Sequence, residues 1–416
     1  MLVISSYPPY GSTHHRSIVG GASYTKNTLV SLLKFAKLSK KSVPKITVLA
    51  EKLNGETTHS EDGIFVKRIW KRNSLFTYLI LLKEIIASNT NIVVIEFELA
   101  MFGQGIYIAF LPLFLLILKL LRKQTFFVFH QVLIDVDEIA GHINIKEKSI
   151  KTLVLNIAIQ SLYIAILRMV TKAIVFEEFL KEELSRFISE EKVLVIPHLV
   201  EEINNSQTES DARKELKIPK NKFVLLYFGF LAWYKGTDAL ISLFSTLPQS
   251  IKENCTLIIA GGPNPNHLDK KYYVDYIEKV KKDCKDKSII FTDFVLEEKI
   301  PLYFKAADAV VLPYRTFMSS SGPLSLAFTF EKSILLSDKL KGYKKTSDIK
   351  NALTMCDLTI NDLTFELNKT DFERTVVQSE KNQKQIIAFS RIMKRERRAN
   401  VIASLYYNLL FGKNNG

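Results

Sequence analysis

Residues 306–338 read AADAVVLPYRTFMSSSGPLSLAFTFEKSILLSD, and the order of residue types decides what kind of sheet they enter. A β-branched run at 309–312 passes into the turn Pro313-Tyr314-Arg315 and the cluster Ser319-Ser320-Ser321-Gly322-Pro323. An apolar helix is expected over 324–330, then a second apolar strand at 334–337. Strand, turn, helix and strand, with both strands apolar throughout, is the pattern of parallel strands covered on two faces. Pro323 suits the first helical position, with Ser321 or Gly322 as its cap. Proline has no amide hydrogen, so an anion at this helix start is expected to meet the Leu324 and Ser325 amides and the serine hydroxyls, Ser320 included.

The same alternation runs outward in both directions. Strands are expected at 223–228, 256–260 and 288–291 in the second half, and at 2–5, 46–50, 92–96, 125–129, 173–176 and 193–196 in the first. Helical periodicity fills the gaps, including 23–35, 75–87, 106–121 and 150–170. Residues 201–211 (EEINNSQTESD) are polar and aperiodic, as in a linker. The reading is two doubly wound α/β domains, 1–200 and 212–380, followed by one helical segment over 381–416. The basic knot Lys394-Arg395-Glu396-Arg397-Arg398 in that segment reads as a solvated helix face.

Composition narrows the function. The 416 residues are 47% hydrophobic and 24% charged, which excludes disordered and low-complexity classes. Three widely spaced cysteines make neither a disulfide framework nor a CxxC zinc pattern, HExxH is absent, and no signal peptide is read in MLVISSYPPYG. The net charge of +14 is spread evenly over both halves, which argues against a nucleic-acid module and suits a protein that handles phosphates or anionic lipid. Two apolar stretches, 105–119 and 153–168, are too short or too interrupted by Pro112, Asn156 and Gln160 to read as membrane spans. They read as buried helices, with shallow membrane contact as the alternative, because Lys119, Arg122 and Lys123 follow the first directly.

Four places carry candidate chemistry. Gly20-Gly21 precedes an amphipathic helix and lets backbone amides approach a ligand. Lys235-Gly236, in a short loop after strand 223–228, sets one ammonium at a sheet's carboxyl edge. The serine turn of the opening stretch is the third. His130, at the end of strand 125–129 with Asp135, Asp137 and Glu138 following, is placed for proton or orientation work; a structural histidine bonded to backbone is the alternative.

Taken in order, these places resemble the family 4 glycosyltransferases, the "group 1" enzymes of the GT-B fold, over nearly the whole chain. The resemblance rests on the GG loop, IPH at 196–198, GFLAWYKG at 229–236, LIIAGG at 257–262, AADAVVLPYR at 306–315 and SGPLSLAFTFEKSILLSD at 321–338. It implies two Rossmann-like domains facing across a cleft, with a C-terminal helix returning to the first. It also implies sugar transfer from a nucleotide-diphosphate donor, with retention, to a glycan or lipid-linked acceptor, without a metal or other cofactor. Lys235, Arg315, Ser320, Ser321, Gly322 and Leu324 then fall on the donor side, Gly20 and Gly21 on the closing loop, and His130 and Asp135 on the catalytic side. A cytoplasmic chain touching the inner face of a membrane peripherally is the matching expectation. Several positions depart from the family, Glu331-Lys332-Ser333 in place of its usual Gly-Lys-Pro among them. Phe230 stands where its arginine is usual, and Met318 and Leu326 stand where its paired glutamates are usual. These departures motivate the alternative, a catalytically impaired binding protein on the same fold.

Overall fold

In the computed structural model, all residues are described except 15–19, 100, 104, 204–205, 265–266, 285 and 413–416. The first sheet contains β1 (Leu2–Ser5), β2 (Ile46–Glu51), β3 (His59–Glu61), β4 (Ile64–Trp70), β5 (Ile92–Phe97), β6 (Gln124–Phe129), β7 (Lys172–Val175) and β8 (Val193–Val195). Their spatial order is β3-β4-β2-β1-β5-β6-β7-β8, and only the β3–β4 pair is antiparallel. The second sheet holds β9 (Phe223–Phe228), β10 (Cys255–Ala260), β11 (Ile289–Asp293), β12 (Ala309–Leu312), β13 (Ser333–Ser337) and β14 (Thr364–Phe365). It is parallel throughout, in the order β11-β10-β9-β12-β13-β14.

Each sheet is apolar on both faces because helices cover both. In the first domain, Leu2 and Ile4 point into a core shared with the helices Phe76–Ala87, Leu111–Leu120 and Ile150–Met169. Val3 and its neighbours point the other way, onto the helices Gly20–Leu38 and Ala399–Phe411. The order of each sheet reverses once, beside β1 and β5 in the first and beside β9 and β12 in the second. Ligands in doubly wound sheets bind at the carboxyl end of such a reversal.

Strand expectations fall within a residue or two of the observed strands, with three omissions. The β3–β4 hairpin turns at Asp62-Gly63, both at positive φ, a signal the sequence displayed. β14 has only two residues, too short for any periodicity. The linker ends earlier than expected, because Thr208 and Asp211 form a capping box that starts the helix Glu209–Glu215. The expected 106–121 helix is two pieces, Ile106–Ala109 and Leu111–Leu120, divided ahead of Pro112.

The terminal segment also divides. The Gln383–Glu396 helix packs on the second domain through Ile386, Phe389 and Met393. The Ala399–Phe411 helix packs on the first, where the Tyr24 and Tyr406 hydroxyls lie 2.7 Å apart. Between them lies Arg397, and here the reading of a solvated basic knot is corrected: Arg397 is buried. Its guanidinium donates to both oxygens of Glu177, at 2.7 and 3.0 Å, and to both of Asp348, at 2.7 and 3.1 Å. Glu177 also accepts from the hydroxyls of Ser320 and Thr346, so one buried carboxylate of the first domain holds two loops of the second.

Candidate active site

A cavity of about 290 Å³ opens between the domains, where the two sheet reversals face each other. Its second-domain wall is built from the ends of β9, β10 and β12. Gly229, just past β9, has φ 124°, which a side chain would resist. A Cβ there would lie 3.2 Å from Lys235 Nζ and 3.6 Å from Pro323 Cγ, so the ammonium and the start of the Gly322–Thr329 helix flank one glycine. The Lys235 ammonium makes no hydrogen bond or ion pair with a described residue, and Nζ lies 6.0 Å from the centre of the Tyr314 ring. It is half-buried by surface exposure, and this loss of hydration lowers its pKa to about 8. A cation without a described partner in such a cavity would suit an anion.

The serine turn contributes differently from expectation. Ser321 Oγ accepts from the Leu324 amide at 3.3 Å and lies 3.0 Å from the Tyr314 hydroxyl, so it caps the helix. The Ser325 amide donates to the Ser321 carbonyl and the Ser325 hydroxyl to the Leu199 carbonyl. Leu324 and Ser325 are therefore spent within the fold, and Leu324 does not line the cavity. What remains for a ligand is the Gly322 amide, without an acceptor among the described residues, and the Ser319 hydroxyl, likewise unpaired. Ser320 lines the cavity while donating to Glu177. A Cβ on Gly322 would meet nothing within 4 Å, so open space lies before this helix start.

Arg315 does not face the cavity. Its guanidinium is held bidentately by Asp238 at 2.8 and 2.8 Å and lies 4.7 Å from the centre of the Trp233 ring. It braces the turn that carries Lys235, because its guanidinium ties the Trp233 carbonyl to Asp238. Phe230 stacks near Phe294, and Leu326, 4% exposed, lines the cavity; Met318 instead packs against Leu133 and Val136 of the first domain.

The first-domain wall brings together residues the sequence left scattered. Gly20 opens the Gly20–Leu38 helix and the Gly21 amide donates to Glu98 Oε1 at 3.0 Å. A Cβ on Gly21 would fall 2.4 Å from that oxygen and 3.3 Å from His130 Nδ1, so the glycine permits both groups to reach the cavity. His130 Nε2 lies 2.8 Å from Glu96 Oε2, so its second nitrogen is engaged by a buried carboxylate rather than by backbone. Burial raises the Glu98 pKa, although His130, Arg72 and the Gly21 amide work against it. Asp135 is not brought in: it is exposed, and its carboxylate caps residues 136–139 and accepts from Asn156. Glu96 and Glu98 escaped the sequence reading, although carboxylates at the carboxyl end of a central strand were the available signal. So did His14, whose Nε2 sits 3.0 Å from Glu201; burial alone lowers its pKa, yet Glu201 and Glu297 raise it overall. Burial takes His198, on the same wall, down to about 4. No group of three or more His, Cys, Asp or Glu side chains suited to a metal occurs among the described residues.

Known proteins resemble this chain in part of its sequence and in its fold. Residues 208–346 match the family Glycosyl transferases group 1. A D-inositol 3-phosphate glycosyltransferase of Salinispora arenicola is 26% identical over 113 residues, and a mannosylfructose-phosphate synthase of Agrobacterium fabrum 31% over 109. Each match takes in 26% of this chain and spans only 25% and 24% of those relatives. Among solved structures, a sucrose-phosphate synthase of Thermosynechococcus elongatus superposes with TM-score 0.67 at 15% identity, covering 98% of this chain and 97% of that one. The Anabaena protein HepE in complex with UDP-glucose gives 0.64 at 11%, covering 98% of both. The chain thus has the GT-B fold, and residues 208–346, most of its second domain, match the group 1 glycosyltransferases.

Proposed function

We propose that the protein transfers a sugar from a nucleoside-diphosphate donor to a glycan or lipid-linked acceptor, with retention of configuration and without a bound metal. The observation that carries this reading is the unpaired Lys235 ammonium beside the open Gly322 helix start, opposite Glu98 and His130. As the bond to the sugar breaks, negative charge grows on the departing diphosphate. A fixed ammonium, a free amide and the positive end of a helix stabilise that charge more than the ground state. Glu98 and His130 line the opposite wall, where an acceptor hydroxyl would enter; Glu96 fixes the imidazole and Gly21 fixes Glu98. The lipid-linked acceptor would be met by peripheral contact with a membrane. Because HepE binds UDP-glucose, that sugar nucleotide is the first donor to test.

The catalytically impaired binding protein stays as a second reading because of Phe230 and Leu326, which leave one cation and no carboxylate among the described residues of the second-domain wall. Turnover assays with UDP-, GDP- and ADP-sugars separate the two. Release of nucleotide that depends on an added acceptor, lost by tenfold or more in Lys235→Ala, supports the enzyme. Nucleotide binding that never leads to release supports the binder.

A further inference from the structure

We infer that the helical layer of the first domain formed by Phe76–Ala87, Leu111–Leu120 and Ile150–Met169 docks on an anionic lipid surface. These helices lie side by side and bury one face against the first sheet. Their outer faces remain apolar. Ile150 is 82% exposed and Phe76 73%, and Leu153, Val154, Ile157 and Leu79 stand out to solvent beside them. Most exposed large apolar side chains of the described residues fall within 75–86, 106–121 and 150–157. Scattered surface leucines need no explanation, but exposed apolar side chains gathered on neighbouring helices mark an interaction surface.

The Ile150–Met169 helix is long and apolar enough to cross a membrane by length and composition, yet the fold holds it in place. Its Tyr163, Ile166 and Leu167 are in the core, and its Tyr163 hydroxyl accepts from the Leu133 amide. It therefore lies on a bilayer rather than through it.

Charge selects the occupant. No Asp or Glu occurs between Glu98 and Asp135, nor between Glu147 and Glu177, while these segments carry Lys119, Arg122, Lys123, Lys148, Lys151 and Arg168. An apolar stripe whose edge carries more cations than anions, with Glu84 paired to Lys67 and Glu147 at one end, fits anionic lipid, whereas a second copy of the same surface would set like charges together. The layer is also tied to the cavity. Asn156 donates to Asp135 and accepts from the Val136 amide, and the Val132 amide in the same loop donates to Met318 of the second domain. The surface stands on these observations alone; that it delivers a membrane-borne acceptor rests on the transfer reading above.

Cosedimentation with vesicles, in the absence of nucleotide, tests the inference. Wild-type protein is expected to pellet with phosphatidylcholine vesicles containing phosphatidylglycerol and to remain in solution with phosphatidylcholine alone. The variant Ile150→Glu/Leu153→Glu/Ile157→Glu, melting at the wild-type temperature, should lose at least tenfold in bound fraction. Equal pelleting by both vesicle types, no pelleting by wild type, or unchanged binding of the variant overturns the inference. So does a concentration-dependent dimer that the same variant disperses, since the face then belongs to a second copy. A failure to bind any nucleotide would remove the donor reading and leave the vesicle result standing.

Discussion

At the scale of single residues, the account turns on Lys235. Removed from water without a partner, its ammonium holds its proton only up to about pH 8. Affinity for a nucleoside diphosphate should therefore be flat near pH 7 and fall as pH rises through about 8, when the amine becomes neutral. Calorimetric titration at pH 7 and pH 9.5 checks this, and a Lys235→Met variant should show weak binding with little difference between them. Leu326 gives a second residue-level expectation. Ribose diols are commonly held by a carboxylate, and the second-domain wall has none among its described residues; the undescribed 15–19 and 265–266 contain no Asp or Glu either. UDP and 2′-deoxy-UDP should thus bind within about twofold of each other, since no buried partner is left unsatisfied when the hydroxyl is missing. A preference for UDP above tenfold would show another group doing that work.

At the scale of elements, the turn after β9 and the turn after β12 form one unit. Arg315 leaves the second turn to brace the first through Asp238 and Trp233. Arg315→Ala should lower the melting temperature and loosen the Lys235 loop, while Asp238→Asn at fixed Arg315 should leave an uncompensated cation and weaken packing there. If Arg315 were instead a direct phosphate ligand, its loss would abolish nucleotide binding without lowering the melting temperature. The sequence made the strands and the serine turn legible because parallel strands buried on both faces are apolar throughout and a Ser-Gly-Pro cap is local. It hid the destination of each polar group. The Ser325 hydroxyl reaches Leu199 and Arg315 reaches Asp238 across 126 and 77 positions, distances that no local pattern encodes. Glu98 was hidden for the same reason, because its partner amide at Gly21 is 77 positions away.

At the scale of the molecule, two connections, one buried and one half-exposed, help set how the domains meet. Arg397, with Glu177 and Asp348, binds the crossing of the terminal helices to both domains; burial works against its charge, but the two carboxylates raise its pKa. Removing one member of such a cluster strands the others, so Arg397→Ala should cost about 3–5 kcal/mol, read as a shift in the denaturation midpoint. It should also disturb Ser320, which shares Glu177, and so weaken the cavity at a distance. The second connection is polar and half-exposed: Glu297 accepts from the Thr13 and His14 amides at 2.9 and 2.9 Å across the cavity mouth. Glu297→Gln should leave the fold intact and change the rate of nucleotide release more than its equilibrium binding, a difference that stopped-flow displacement resolves.

The central claim is that a pyrophosphate sits between Lys235 and the Gly322 helix start. Isothermal titration of UDP into wild-type protein and into Lys235→Met, at pH 7 and matched salt, tests it directly. A charge-assisted contact of this kind predicts saturable one-site binding by wild type and at least about tenfold weaker binding by the variant, at an unchanged melting temperature. Equal affinity in the two proteins would contradict the account.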